Sequence, residues 1–243
     1  VSLVDKDARH GAKSDKKKFT GYKVNSIMSE DGFIKNINAT PGNSYDGDIL
    51  IPLIDEMIEH GFNASEVVGD TAYGEVDNRN KLLLKGITVI APFKKETNKG
   101  VFPQSKFTIE EHGVTCPAGC RTMVWNHNKK IETITFYFNK NDCGNCKLKE
   151  KCTVQKRRTI TISQHYELLK IAREYNKTDH FKEDMKQRAH IEPKQGEMKR
   201  YHGLVRAKYW GLPKMNIQAT MSAIVVNVKR FITMNSCGYQ LAS

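Results

Sequence analysis

Two carboxylates and a group of thiols are the side chains of this sequence whose setting invites chemistry. Asp70 closes the short apolar run "SEVVGD" just before the turn-forming "TAYG". Glu192 stands in "RAHIEPKQGEMKRYHGL", four residues after Arg188 and seven before Lys199. Carboxylates set among cations can hold divalent ions, and two such ions roughly 4 Å apart can activate an attacking hydroxyl and stabilise a leaving oxygen in phosphoryl transfer. Mg2+ (or Mn2+) suits that role because it takes oxygen ligands and keeps positions open for water and phosphate. Such a site ordinarily takes a third carboxylate. Each residue also has a plainer use: Asp70 as the cap of its turn, and Glu192, like Glu197, as a counter-charge on a solvated face.

The thiols form a second group. Five of the six cysteines fall between residues 116 and 152, with Cys143 and Cys146 in C-x-x-C spacing, Cys152 six residues on, and Cys116 and Cys120 upstream. Four thiolates can close a tetrahedral zinc site, and the two-residue spacing lets one turn aim two sulfurs at a single ion. The best set is Cys116, Cys143, Cys146 and Cys152, with Cys120 as a substitute; unmetallated reduced thiols are the alternative. Cys237, far from the group, reads as a core or tail residue.

Charge narrows the partners. Thirty-nine Lys and Arg against 27 Asp and Glu give a formal +12, which points to a polyanion, and nucleic acid fits best because phosphate neutralisation supplies most non-specific affinity. No apolar run of about 18 residues and no signal-peptide core are present, so the expected setting is the cytoplasm, at the nucleoid, without a membrane partner. Lys199, Arg200, Arg206 and Lys208 alternate with Tyr201, His202, Tyr209 and Trp210, a mixture able to pair phosphates and stack on exposed bases; the other reading puts Tyr209 and Trp210 in the core.

The elements that must position these groups can be read in outline. "FTGYKVNSIM" and "GFIKNINATPGN" predict a hairpin across "SEDG". Ile49, Leu50, Leu53, Ile54, Met57 and Ile58 lie at helical spacing up to Gly61, and Asp46 precedes them as a helix cap. A strand ending at Asp70, a helix around "NRNKLLLKG" and the strand "ITVIAPF" complete a mixed-sheet α/β pattern, with Asp70 at a strand's carboxyl end, where such folds gather active groups. Short β-like pieces and basic loops follow, then helical "QHYELLKIAREY", and finally "KMNIQATMSAIVVNVKRFI", which reads as a buried helix. The division is 1–95, a cysteine-rich β insertion at 96–164, and a helical part at 165–243. The opening "VSLVDKDARHGAKSDKKK" reads as a polar loop, without a start methionine, of a fragment.

"VVGDTAYG" together with R-x3-E-x6-K at Arg188, Glu192 and Lys199 resembles the DDE transposases of bacterial insertion sequences. The flanking phrases "SLVDKDARHG", "TPGNSYDGDIL", "CPAG", "CGNCKLKEKC" and "GEMKRYHGLVRAKYWGL" are similar to a subgroup whose core is interrupted by a cysteine-bearing insertion. The resemblance implies an RNase H-like mixed sheet with flanking helices, interrupted by a zinc-ribbon-like insertion. It implies two-metal DNA strand cleavage and strand transfer, a homodimer on double-stranded DNA, Asp70 and Glu192 as the second and third metal-binding acids, and Arg188 and Lys199 on DNA phosphates. Met185 stands where the family has a tyrosine. The family's first aspartate belongs to an opening strand; Asp5, Asp7 and Asp46 do not read as occupying one, so that strand is expected to be missing and this fragment to be inactive by itself. A non-catalytic zinc-ribbon DNA-binding protein and a nuclease of the same fold are the competing readings.

Overall fold

A computed structural model of the protein describes residues 3–14, 16–94, 101–110 and 112–239. The chain divides into two compact units, one formed by 1–92 with 173–243 and the other by 93–172.

The discontinuous unit begins with an antiparallel sheet of β1 (Arg9–Ser14), β2 (Lys17–Met28) and β3 (Ile34–Pro41) in that order. The expected hairpin is β2 and β3, closed by Ser29 N–H to Phe33 O and Gly32 N–H to Ser29 O, both 2.9 Å. β1 is a correction, since its residues read as loop: polar side chains hide a strand whose backbone groups are paired by β2 from Arg9↔Gly21 onward. A glycine is required where β1 passes the turn after β3, because a Cβ on Gly11 would stand 2.2 Å from the Gly42 carbonyl oxygen.

α1 (Leu50–Glu59) follows a 3-10 turn at Asp46–Ile49. Asp46 makes no capping hydrogen bond, a second correction; Lys23 Nζ takes its carboxylate at 2.8 Å instead. β4 (Glu66–Val68), α2 (Val76–Leu83) and β5 (Thr88–Ile90) then form a parallel pair with a helical crossover, in register from Glu66↔Thr88 to Val68↔Ile90. Leu50, Ile54, Met57, Leu82, Ile87 and Val89 make one core from α1, α2 and β5. The strands that the sequence suggests for one mixed sheet thus lie in two small sheets, and no described strand joins them.

Among the described residues, the inserted unit holds two three-stranded antiparallel sheets. β6 (Thr108–Glu110), β7 (Gly113–Thr115) and β8 (Arg121–Thr122) form one; β9 (Trp125–Asn128), β10 (Thr133–Tyr137) and, after α3 (Lys140–Gly144) and α4 (Lys149–Cys152), β11 (Thr159–Ser163) form the other. Its core is Phe107, Val114, Phe136, Phe138, Ile160 and Ile162.

α5 (Tyr166–Tyr175) leads back to the discontinuous unit, which ends in α6 (Asp179–Arg188), α7 (Ile191–Tyr201) and the long α8 (Leu212–Tyr239). Only one side of α8 is buried: Met215, Ala219, Ala223 and Val226 pack with Ile34, Ala39 and Met198, while Ile217, Met221, Val228 and Phe231 are exposed. This corrects the wholly buried helix. The docking is partly polar: Asn216 Oδ1 accepts from Ala39 N–H at 2.6 Å, and Asn227 both accepts from Ile34 N–H (2.8 Å) and donates to Ile34 O (2.9 Å). β3 is an edge strand, so these amides, three turns apart on the helix, satisfy backbone groups that an open edge leaves unpaired.

Candidate active site

Asp70 lies two residues beyond the last residue of β4, at the carboxyl end of the parallel pair. Its side chain makes an ion pair with Arg188, Nη2 to Oδ1 at 2.6 Å. Arg188 is the last residue of α6, and its Nη1 stands 3.7 Å from Oε1 of Glu192 in the first turn of α7. The contact to Asp70 is a charge-assisted hydrogen bond; the contact to Glu192 is too long for one and acts through charge. With C–N bonds of about 1.33 Å, the two guanidinium nitrogens lie about 2.3 Å apart, which keeps the two carboxylate oxygens within about 9 Å of each other. Residues 122 positions apart therefore share one cation.

The loop that carries Asp70 is fixed from below by two buried side chains of α2. Asn78 Nδ2 donates to Gly47 O (2.9 Å) and Tyr73 O (3.2 Å). Arg79, 4% exposed, spreads its guanidinium over three carbonyls: Nε to Gly74 O at 2.8 Å, Nη1 to Val89 O at 2.6 Å and Nη2 to Ala91 O at 2.8 Å. Burial lowers its pKa to about 10. A Cβ on Gly74 would come within 2.8 Å of the Ala91 Cβ and 2.9 Å of Arg79 Nη2, so the "TAYG" turn needs its glycine to pass this clamp. The sequence reading missed Asn78 and Arg79, which sit in what looks like an ordinary polar helix start. Tyr73 is packed beside them, and burial pushes its hydroxyl up to about 12, with the charges of Asp46 and Asp70 adding to the rise and Arg188 opposing it.

Among the basic candidates, Lys199 and Arg200 lie in the last turn of α7, where cations also complement the helix dipole. Arg206 and Lys208 lie in the loop to α8, exposed together with Tyr209 and Trp210. That loop is held from α8: Gln218 Nε2 donates to Gly203 O (2.9 Å) and Arg206 O (3.0 Å), its Oε1 accepts from Lys208 N–H (2.9 Å), and Ser222 Oγ donates to His202 O at 3.1 Å. Its far end is held by the opening segment, where Leu212 N–H donates to Asp7 Oδ2 (2.9 Å) and Gly211 N–H to the Tyr22 hydroxyl (2.9 Å) and to Asp5 Oδ2 (3.3 Å). The Tyr22 hydroxyl donates to Asp5, the largest cause of that carboxyl's lowered pKa. Asp5, in the loop ahead of β1, is thus a buried structural acceptor. Glu197, expected as scattered surface charge, is instead a mostly buried hub with Lys229, His202 at 3.5 Å and Lys194 at 3.8 Å.

In the inserted unit, Cys116, Cys120, Cys143, Cys146 and Cys152 line one cavity of about 30 Å³ together with Phe138 and Arg158. All five are free thiols. Cys116 and Cys120 face each other at the mouth of the turn between β7 and β8, where Cys116 N–H donates to Cys120 O at 2.8 Å, and Leu148 N–H donates to Cys146 Sγ at 3.4 Å. Desolvation is the main cause of the raised pKa of Cys120 and Cys152. Cys120 therefore belongs to the group. The Cys237 side chain lies outside the described residues. Among the described residues, no three His, Cys, Asp or Glu side chains are arranged as a ready metal-ligand set.

Residues 115–232 match the family model described as a transposase DDE domain. That segment, which contains Arg188, Glu192, Lys199 and the cysteine group, is similar to the DDE transposases; Asp70 lies ahead of the matched stretch. No curated protein and no solved structure matches the chain. The architecture is a mixed α/β one of several small sheets and helices, and no described helix is long and apolar enough to cross a membrane.

Proposed function

We propose that the chain is the catalytic part of an insertion-sequence transposase with an RNase H-like core, cleaving DNA at the element's ends and joining the released 3′-hydroxyl to target DNA. The observation that carries this reading is the meeting of Asp70 and Glu192, from a strand end and a distant helix, at one guanidinium. Two hard oxygen donors already gathered about a cation suit Mg2+ or Mn2+, and when bound such ions supply a lowered pKa for the attacking water or hydroxyl and charge stabilisation for the leaving oxygen. Asp70 and Glu192 hold that position; the rigid Arg79-braced loop fixes the first, and the start of α7 favours the negative charge of the second. Lys199, Arg200, Arg206 and Lys208 bind the backbone of double-stranded DNA, and the exposed Tyr209 and Trp210 offer faces for bases. Two ends must be brought together, so the working form is a homodimer on DNA.

The five thiols have the donor chemistry for zinc, and four of them, Cys116, Cys143, Cys146 and Cys152, would hold it and brace the small inserted core. The family match does not favour a non-catalytic zinc-ribbon protein. Fluorescence anisotropy with duplex DNA separates the two. In the transposase reading D70N and E192Q retain DNA affinity and lose Mn2+ binding, whereas R206A and K208A each reduce the salt slope of DNA binding by about 0.9. Loss of DNA binding in C143S alone, with R206A and K208A unchanged, sinks this reading in favour of the ribbon.

A further inference from the structure

We propose that Arg188 occupies the position between Asp70 and Glu192 that a divalent cation would take, and that the guanidinium must leave it, toward the DNA backbone, for these two acids to hold the cation. The inference rests on the metal-dependent reading of this site and adds a role for one residue that the resemblance assigns to phosphate alone.

The geometry is asymmetric. Arg188 is hydrogen-bonded to Asp70 at 2.6 Å and only charge-coupled to Glu192 at 3.7 Å. It therefore takes up one lone-pair direction of Asp70 Oδ1, and it places a positive charge where a dication held by the two acids would be. Like charges repel and one space cannot hold both, so the guanidinium and a dication exclude each other from the site. The acids in turn favour a cation between them, and the guanidinium stands 2.6 Å from one and 3.7 Å from the other. Arg188 supplies that charge.

Its release is easy for structural reasons. The side chain is rooted at the last residue of α6, where the chain bends through Ala189 and His190 into α7. About 31% of it is exposed, against 60% of Asp70 and 64% of Glu192. Ion pairs this open contribute little net stability and exchange readily. Once displaced, a planar fork of donors beside a bound dication is suited to a phosphate oxygen pair. One arginine thus serves two anions in succession, carboxylate first and phosphate second.

The alternative is that Arg188 merely holds the two acids at the right spacing. The two roles predict opposite signs for metal affinity when the charge is removed. Mn2+ binding to the full chain, read by electron paramagnetic resonance of the free ion, is compared in wild type, R188Q, D70N and E192Q, with far-UV circular dichroism checking the fold. R188Q is expected to bind Mn2+ roughly three- to tenfold tighter than wild type, of the order that loss of one exposed ion pair and one repulsive charge produces, and D70N and E192Q to bind weakly. Equal or weaker binding by R188Q, with D70N and E192Q still defective, overturns the proposal and makes Arg188 a positioning residue while leaving the site's function intact. Binding that does not depend on Asp70 or Glu192 in any variant overturns the metal reading and this proposal together. Should R188Q fail to fold, the Arg188 Nε–H resonance of the wild-type chain decides: Mg2+ addition should shift it and speed its exchange with water, and an unchanged signal at saturating, Asp70-dependent Mg2+ refutes displacement.

Discussion

Replacing Arg79 by methionine keeps an unbranched, flexible side chain and removes the guanidinium clamp beneath the Asp70 loop. Three charge-assisted bonds to Gly74 O, Val89 O and Ala91 O are lost. Ala91 O retains a donor in Asn176 Nδ2 at 3.1 Å, so the carbonyls at risk of losing their partner are those of Gly74 and Val89, at about 1–3 kcal/mol each. Relief from burying a charge and the apolar methionine offset part of this, leaving a net loss of about 2–4 kcal/mol. Because the chain has two units, a single melting curve mixes them. Native-state hydrogen exchange is the sharper assay: the amides of β4 and β5 should exchange roughly 30- to 700-fold faster in R79M, with those of β10 and β11 unchanged. Acceleration below about tenfold in β4 and β5, or equal acceleration in both units, would refute the reasoning that this arginine is a local brace.

Two further expectations concern the hub and the thiols. Glu197 is held below its ordinary 4.5 chiefly by its hydrogen bond from Lys229, with His202 and Lys194 adding; a lowered folded-state pKa means a contribution present above pH 4.5 and lost as pH falls through the folded value. E197Q should therefore be less stable than wild type at pH 7, with the difference shrinking as pH falls below 4.5, and a Tm difference that stays constant on acidification contradicts the assignment. For the inserted unit, Co2+ should give sulfur-to-cobalt charge-transfer absorption at one ion per chain, abolished in C146S, and chelation should lower the melting temperature of this unit; absence of the band in the reduced chain argues for simple free thiols.

Much of the secondary structure was legible because it rests on local pattern. The β2–β3 hairpin, α1 and the β4–α2–β5 alternation each follow from spacing and punctuation. β1 was hidden because its side chains carry no alternation; cross-strand backbone bonds from β2 define it. α8 was misread because composition shows an apolar helix without showing which side meets β3, and two asparagines rather than its branched aliphatics make the polar contacts there. Asp46 reads as a cap until Lys23, 23 residues earlier, is brought against it.

What the sequence determined by itself is the inventory: an acid at a strand end, an acid at spaced intervals from Arg188 and Lys199, a basic aromatic run, and clustered thiols, all properties of residue type and short spacing. Only the tertiary structure decided which of these meet. It brought Asp70 and Glu192 to one guanidinium, drew Cys120 into the thiol cavity, turned Tyr209 and Trp210 outward, and put Arg79 under the loop that bears Asp70. Those outcomes depend on long-range packing and on where buried polar groups find partners, and neither is encoded in any window short enough to be read along the chain.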